Sequence, residues 1–174
     1  MIDAARRPLL FLDVDGPLIP FGARDGGHPT FDGPAVQSGC SPLVERIDPR
    51  HGVRLAALGC ELVWATSWMD DANDCVAPWL GLPRLPVVRW PEHFELTARD
   101  AWHGLSWKTR TLLDRAADRP FVWVDDEITE ADRAWIAAHH RPGALPHRVV
   151  AADGLTNSAY SAIERWLTTR TTPA

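Results

Sequence analysis

The chain has 174 residues, 45% of them hydrophobic and 24% charged, with a formal net charge of −5. That length fits one domain able to bury a real core, and the negative balance gives no support for a general polyanion binder. No run approaches the ~20 apolar residues of a membrane span, and the first apolar run, residues 8–12, is too short for a signal peptide and ends in acids. The expectation is therefore a soluble, cytoplasmic protein with no membrane partner. Cys40, Cys60 and Cys75 show neither zinc spacing nor a disulfide framework, so they read as reduced thiols.

In chain order, residues 9–13 (LLFLD) read as a buried strand, and residues 17–42, rich in Gly and Pro, as a long loop or lid. Residues 43–58 carry helix-spaced apolar positions interrupted by Pro49 and Gly52. Residues 61–66 (ELVWAT) form a second strand, 70–80 a short helix with Asp70 as its N-cap, and 86–90 a short third strand. Residues 106–117 read as a helix capped by Ser106, and 121–125 (FVWVD) as a fourth strand. Residues 129–140 form a helix started by Thr129 and halted by Pro142, 147–150 a fifth strand, and 156–169 a closing amphipathic helix.

Continuous apolar strands alternating with helices predict a doubly wound, Rossmann-like α/β fold: a mainly parallel, five-stranded sheet with helices on both faces. No linker or repeat divides the chain, so residues 1–174 read as one domain. The nine tryptophans read mostly as core and surface packing.

Ligands of doubly wound sheets bind at the carboxyl ends of the strands. Here strand one ends in Asp13-Val14-Asp15-Gly16, strand two in Thr66-Ser67, and strand four in Asp125-Asp126-Glu127. Carboxylates gathered at one edge repel unless a cation joins them, and hard oxygen donors with little His or Cys nearby point to Mg²⁺. Any one of these acids alone would pass for a helix cap or a solvated loop residue. Lys108 falls in the first turn of its helix, where the macrodipole disfavours a cation and an anionic partner would offset the penalty.

DVDG at residues 13–16, a hydrophobic strand ending in Thr66, Lys108, and VDD at 124–126 occur in the order seen in the haloacid dehalogenase (HAD) superfamily. The chain resembles aspartate-nucleophile phosphohydrolases of that superfamily over essentially its whole length. Pro17 departs from the Thr or Val usual after the first motif. The resemblance implies Asp13 as the nucleophile that forms an aspartyl-phosphate, and Asp15 as the acid and base. Thr66 would hydrogen-bond the phosphoryl group and Lys108 would neutralise its charge. Asp13, the Asp15 backbone carbonyl, Asp125 and Asp126 would hold Mg²⁺.

Ser67 is an alternative to Thr66, and Trp68 and Trp107 could flank the pocket and stack on a flat leaving group. Packing of the loops explains those two tryptophans as well. Asp132, inside a helix, reads as a solvated or ion-pairing residue. His28, His51, His93 and His103 show no metal spacing and read as surface or loop residues.

Neither interval where this superfamily inserts a cap has room for one, so the chain resembles a capless type with an open site. WATSWMDDAN, WKTR and WVDDE are similar to HAD domains attached to RNA-repair proteins. The implied function is a Mg²⁺-dependent phosphatase acting on a phosphomonoester, a small molecule or a polymer end, with a nucleic-acid end as one candidate. A phosphotransferase or phosphomutase shares the aspartyl-phosphate step, and an idle binding protein on the same scaffold is the other alternative. A receiver domain uses similar residues but in a different chain order.

Overall fold

The computed structural model describes residues 7–91, 100 and 102–171. Four strands form one parallel sheet: β1 (Leu9–Leu12), β2 (Glu61–Trp64), β3 (Phe121–Asp125) and β4 (Ala144–Arg148), in the order β2-β1-β3-β4. Helices among the described residues include α1 (Arg50–Ala57), α2 (Ala77–Leu80), α3 (Thr109–Ala116), α4 (Glu130–His139) and α5 (Asn157–Thr171). Among the described residues no helix is long and apolar enough to cross a membrane.

Strand alternation divides the core between the two faces of the sheet. Leu10, Leu12, Leu62, Trp64, Val122 and Val124 pack with Leu55 of α1, Leu80 of α2 and Ile163 of α5. Leu9, Phe11, Val63, Phe121 and Trp123 pack on the other side with Leu112 and Ala116 of α3 and Ile136 of α4. Both faces are thus covered by helices, which is why these strands are apolar at every position instead of at every second one. Burying each large side chain contributes roughly 1.5–3 kcal/mol.

The expected third strand at 86–90 is reduced to a single bridge between Trp64 and Val87, which leaves four strands where five were expected. Trp64 N donates to Pro86 O at 2.9 Å and Val88 N to Trp64 O at 2.8 Å. The pairing does not extend to Leu85, whose backbone N and O bond the Asn73 side chain instead; further on, the Arg89 side chain pairs with Asp70. The last strand begins three residues earlier than 147–150 predicts and ends two earlier, at Ala144–Arg148, and includes Pro146. It ends the sheet order, and an edge is where a strand tolerates a residue without an N–H.

The expected helix over 43–58 splits into a 3₁₀ turn, Pro42–Arg46, and α1, with Pro49 as the N-cap residue of α1. Gly52 belongs to α1 instead of breaking it. A Cβ at Gly52 would lie 1.7 Å from the Leu80 carbonyl oxygen, so only glycine lets α1 approach α2 this closely. In place of the helix capped by Asp70, the chain makes a π-helical turn, Ala72–Val76, leading into α2. Asp70 caps nothing here; its carboxylate pairs with Arg89 at 2.6 Å.

Cys40 and Cys75 form a disulfide, which corrects the reading of three reduced thiols and with it the ground for a cytoplasmic protein; Cys60 is free. The partners are 35 residues apart and meet only because the end of the long loop packs on the π-helical turn. The loop is anchored elsewhere too: Phe21 N bonds Ala151 O, Phe31 N bonds Glu45 O, and Gly33 lies against the Trp79 ring.

Candidate active site

β1 and β3 are neighbours in register, Leu12 opposite Val124, so the residues that follow them emerge side by side at the carboxyl edge. Asp13 N donates to Val124 O at 3.1 Å and holds that register one residue further. Asp13 and Asp125 have the strand parity of Phe11 and Trp123, the face covered by α3. Lys108 is the N-cap residue of α3. Its Nζ donates to Asp13 Oδ2 at 2.6 Å and to Asp125 Oδ2 at 2.7 Å. All three side chains are buried.

Each remaining carboxylate oxygen is also held. Val14 N donates to Asp13 Oδ1 at 2.8 Å, and Glu127 N to Asp125 Oδ1 at 2.9 Å. Trp123, two residues before Asp125 on the same strand face, donates its indole N–H to Asp125 Oδ2 at 3.1 Å. Burial pushes the Asp13 carboxyl up to about 7, with Lys108 opposing the rise and Asp125 adding to it. Burial pulls the Lys108 ammonium down, but the Asp13 and Asp125 carboxylates outweigh it and hold it above its ordinary value. Asp126, half-buried, is raised by burial and then by Asp125.

Carboxylate oxygens of Asp13, Asp125 and Asp126 lie within 4.8 Å of one another. Three hard oxygen donors facing one ammonium leave excess negative charge in a poorly solvated place, and Asp13 is already driven toward protonation. That donor set fits a divalent cation such as Mg²⁺. Asp126 reaches the cluster past Gly16, whose φ is +82°; a Cβ there would lie 2.6 Å from Asp126 Cγ, so glycine is required on both counts. The Asp15 side chain is not among the clustered carboxylates. It turns aside to accept the Trp68 indole N–H at 2.8 Å.

Thr66 is buried just past the end of β2, its hydroxyl accepting Trp68 N at 3.3 Å and its carbonyl accepting the Trp90 indole at 3.0 Å. Ser67, the alternative hydroxyl, is exposed. Trp68 and Trp107 are half-buried; Trp107 meets Trp90 edge to face, with Lys108 Nζ 5.4 Å from its ring centre.

Asp132 is not a solvated residue. It is fully buried and completes a capping box with Thr129 at the start of α4. Its Oδ1 accepts Ser106 N at 2.8 Å and the Thr109 hydroxyl at 2.5 Å, so it ties both flanks of Lys108 to the helix that follows β3. His51 likewise belongs to α1, where its Nδ1 lies 3.0 Å from the Tyr160 hydroxyl. His93 lies outside the described residues.

Trp90, Trp123 and Asp132 were not among the expected site residues. Trp123 had a signal, since i and i+2 share a strand face. Trp90 and Asp132 had none: each acts across more than 20 residues of chain.

The family described as the HAD domain in Swiss Army Knife RNA repair proteins matches residues 9–160. The chain belongs to this HAD family. The match begins at β1 and ends within α5, so the whole sheet and every residue of the acidic edge lie inside the HAD domain. No curated protein and no solved structure matches the chain. A HAD domain with this acidic edge is suited to phosphohydrolase-type chemistry.

Proposed function

We propose that this HAD domain is a Mg²⁺-dependent phosphatase that works through an aspartyl-phosphate on Asp13 and acts on a phosphomonoester at a nucleic-acid end. The observation that carries this reading is the buried contact of Lys108 with both Asp13 and Asp125, next to Asp126. It leaves a nucleophilic carboxylate, an ammonium and a cation site converging on one point at a sheet edge.

In the first step an Asp13 oxygen attacks phosphorus, the Asp13–phosphorus bond forms, and the bond to the leaving oxygen breaks. Asp15 gives that oxygen its proton. In the second step Asp15, now a carboxylate, takes a proton from water; the water oxygen bonds phosphorus, the Asp13–phosphorus bond breaks, and inorganic phosphate leaves. The Trp68 indole holds Asp15 for both transfers. Lys108 and the Thr66 hydroxyl stabilise the charge on the phosphoryl oxygens. Mg²⁺, held by the carboxylates of Asp13, Asp125 and Asp126 and the Asp15 carbonyl, would supply further neutralisation of the phosphoryl group when bound.

The description of the family, RNA repair, and the lack of helix or strand in the described loop before residue 42 both favour an open site serving a polymer end. The test is phosphate release from nucleotides, sugar phosphates, phosphopeptides and 3′- or 5′-phosphorylated oligonucleotides, with Mg²⁺, with EDTA, and with Asp13→Asn. Activity is expected on the oligonucleotides with Mg²⁺ and in neither control. Full activity in Asp13→Asn would remove the nucleophile from the reading.

A further inference from the structure

A second concentration of charge lies beside the acidic edge, and it has the opposite sign. A surface cavity of about 540 Å³ is bordered by Arg24, Arg46, Arg50 and Arg54, against Asp48 and Asp153. Four arginines to two aspartates make a cationic surface on a chain whose net charge is −5.

Three of the four guanidinium groups are oriented by neutral acceptors, contacts that do not cancel their charge. Arg46 Nη1 donates to Pro20 O at 2.9 Å, Arg24 Nη1 to Ala152 O at 3.2 Å, and Arg54 Nη1 to Asn157 Oδ1 at 2.7 Å. Arg54 also lies over the Tyr160 ring, 3.7 Å from its centre. Arg50 is chelated by Asp48. Arg50 and Arg54 are four apart on α1, a spacing at which like charges repel. Among the described residues Arg24, Arg46 and Arg54 form no salt bridge, and guanidinium groups held in place in this way are pre-organised for bidentate recognition of phosphate.

The cavity and the acidic edge border the same short turn. Leu18 and Pro20 line the cavity, while Asp15, five residues before Pro20, is bridged to Ile19 and closes that turn. A small monophosphate reacting at Asp13 would not need a second cationic site; a substrate with further negative charges would reach it. Phe31 and His51 also line the cavity. Arginines interleaved with aromatic rings suit a single nucleic-acid strand, whose phosphates repeat and whose bases stack, better than an acidic peptide.

We propose that this arginine-lined cavity binds the phosphodiester backbone of a single-stranded polynucleotide whose terminal phosphate reacts at Asp13. The reaction part rests on the phosphatase reading; the binding part does not.

The test pairs kinetics with binding. Wild type and an Arg24→Gln, Arg54→Gln double variant, which keeps hydrogen-bond donors and removes charge, are assayed on a terminally phosphorylated oligoribonucleotide and on p-nitrophenyl phosphate. KM for the oligonucleotide should rise about tenfold or more, and the slope of log affinity against log salt should become shallower by about 1.4, at ~0.7 for each phosphate no longer neutralised. Kinetics on p-nitrophenyl phosphate should not change. An equal loss on both substrates, or none on either, overturns the proposal, and so does the same arginine dependence for an acidic phosphopeptide but not for the oligonucleotide.

Should the double variant misfold, the wild-type salt slope decides: about −2 or steeper is expected when three phosphates are neutralised, and a slope near zero overturns it. Fluorescence anisotropy of the labelled oligonucleotide on Asp13→Asn separates the two readings. Salt-sensitive binding without turnover by the wild type sinks the phosphatase and spares the cavity; turnover without such binding does the reverse.

Discussion

Two buried aspartates of this protein are held in opposite ways. Asp132 accepts hydrogen bonds from Ser106 N, the Thr109 hydroxyl, Thr129 N and the Thr129 hydroxyl, all neutral dipoles. Asp13 faces one ammonium and lies within a cluster of other carboxylates. Burial is common to both. What separates a structural acid from a reactive one is whether its surroundings are complete without a ligand. Asp132 is satisfied by neutral donors alone; Asp13, one of three clustered carboxylates beside a single lysine, carries excess negative charge that a cation would offset, and the proposed mechanism adds a phosphoryl group there.

Asp13→Asn tests the reactive side of that contrast and carries the largest expected effect: phosphate release should fall by on the order of 10⁴-fold or more, as for loss of a covalent nucleophile. Stability should move the other way. The folded value near 7 lies above the ordinary 3.8, so the folded state holds the proton more tightly than the unfolded one. Asp13 therefore costs stability as pH rises from the lower value toward the higher, and goes on doing so above it. In EDTA, the melting temperature of Asp13→Asn should pull above that of the wild type across that window. A variant that melts lower than the wild type at every pH would break the contrast.

Asp132→Ala tests the structural side. Orphaning buried donors and losing the cap of α4 should cost about 3 kcal/mol in urea unfolding. Residual activity should fall as well, because Ser106 and Thr109 flank Lys108. An unchanged unfolding midpoint would show that Asp132 is no more than a spectator.

Asp15 stands between the two, held by the Trp68 indole. Trp68→Phe keeps the ring and removes the donor. A fall of about tenfold in kcat, with a shifted pH profile and an unmoved melting temperature, is expected for a positioning residue. A change in KM alone, confined to aromatic phosphates, would instead restore the stacking role.

Much of this was legible in the chain. Asp13 and Asp125 could be read because strands end abruptly: an apolar run that stops on carboxylates announces its carboxyl edge, and parallel strands bring such edges together. Lys108 was legible from its place at a helix start and its order among the motifs. Thr129 as a helix start was legible for the same local reason, a side chain capping the backbone three residues on. Gly52 and the span 86–90 misled because their roles are set by distant groups: the Leu80 carbonyl in one case, Asn73 and Asp70 in the other.

Sequence by itself determined which acids gather at the carboxyl edge of the sheet, since strand polarity and side-chain alternation are local properties with fixed periods. Only the tertiary structure decided how they are held. The Cys40–Cys75 pair, the bonds of Asp132 to Ser106 and Thr109 on either side of Lys108, the Trp68 donor to Asp15 and the arginine-lined cavity all join segments far apart in the chain. Such contacts depend on how helices and loops pack across the sheet edge, and that packing has no period for a linear reading to find.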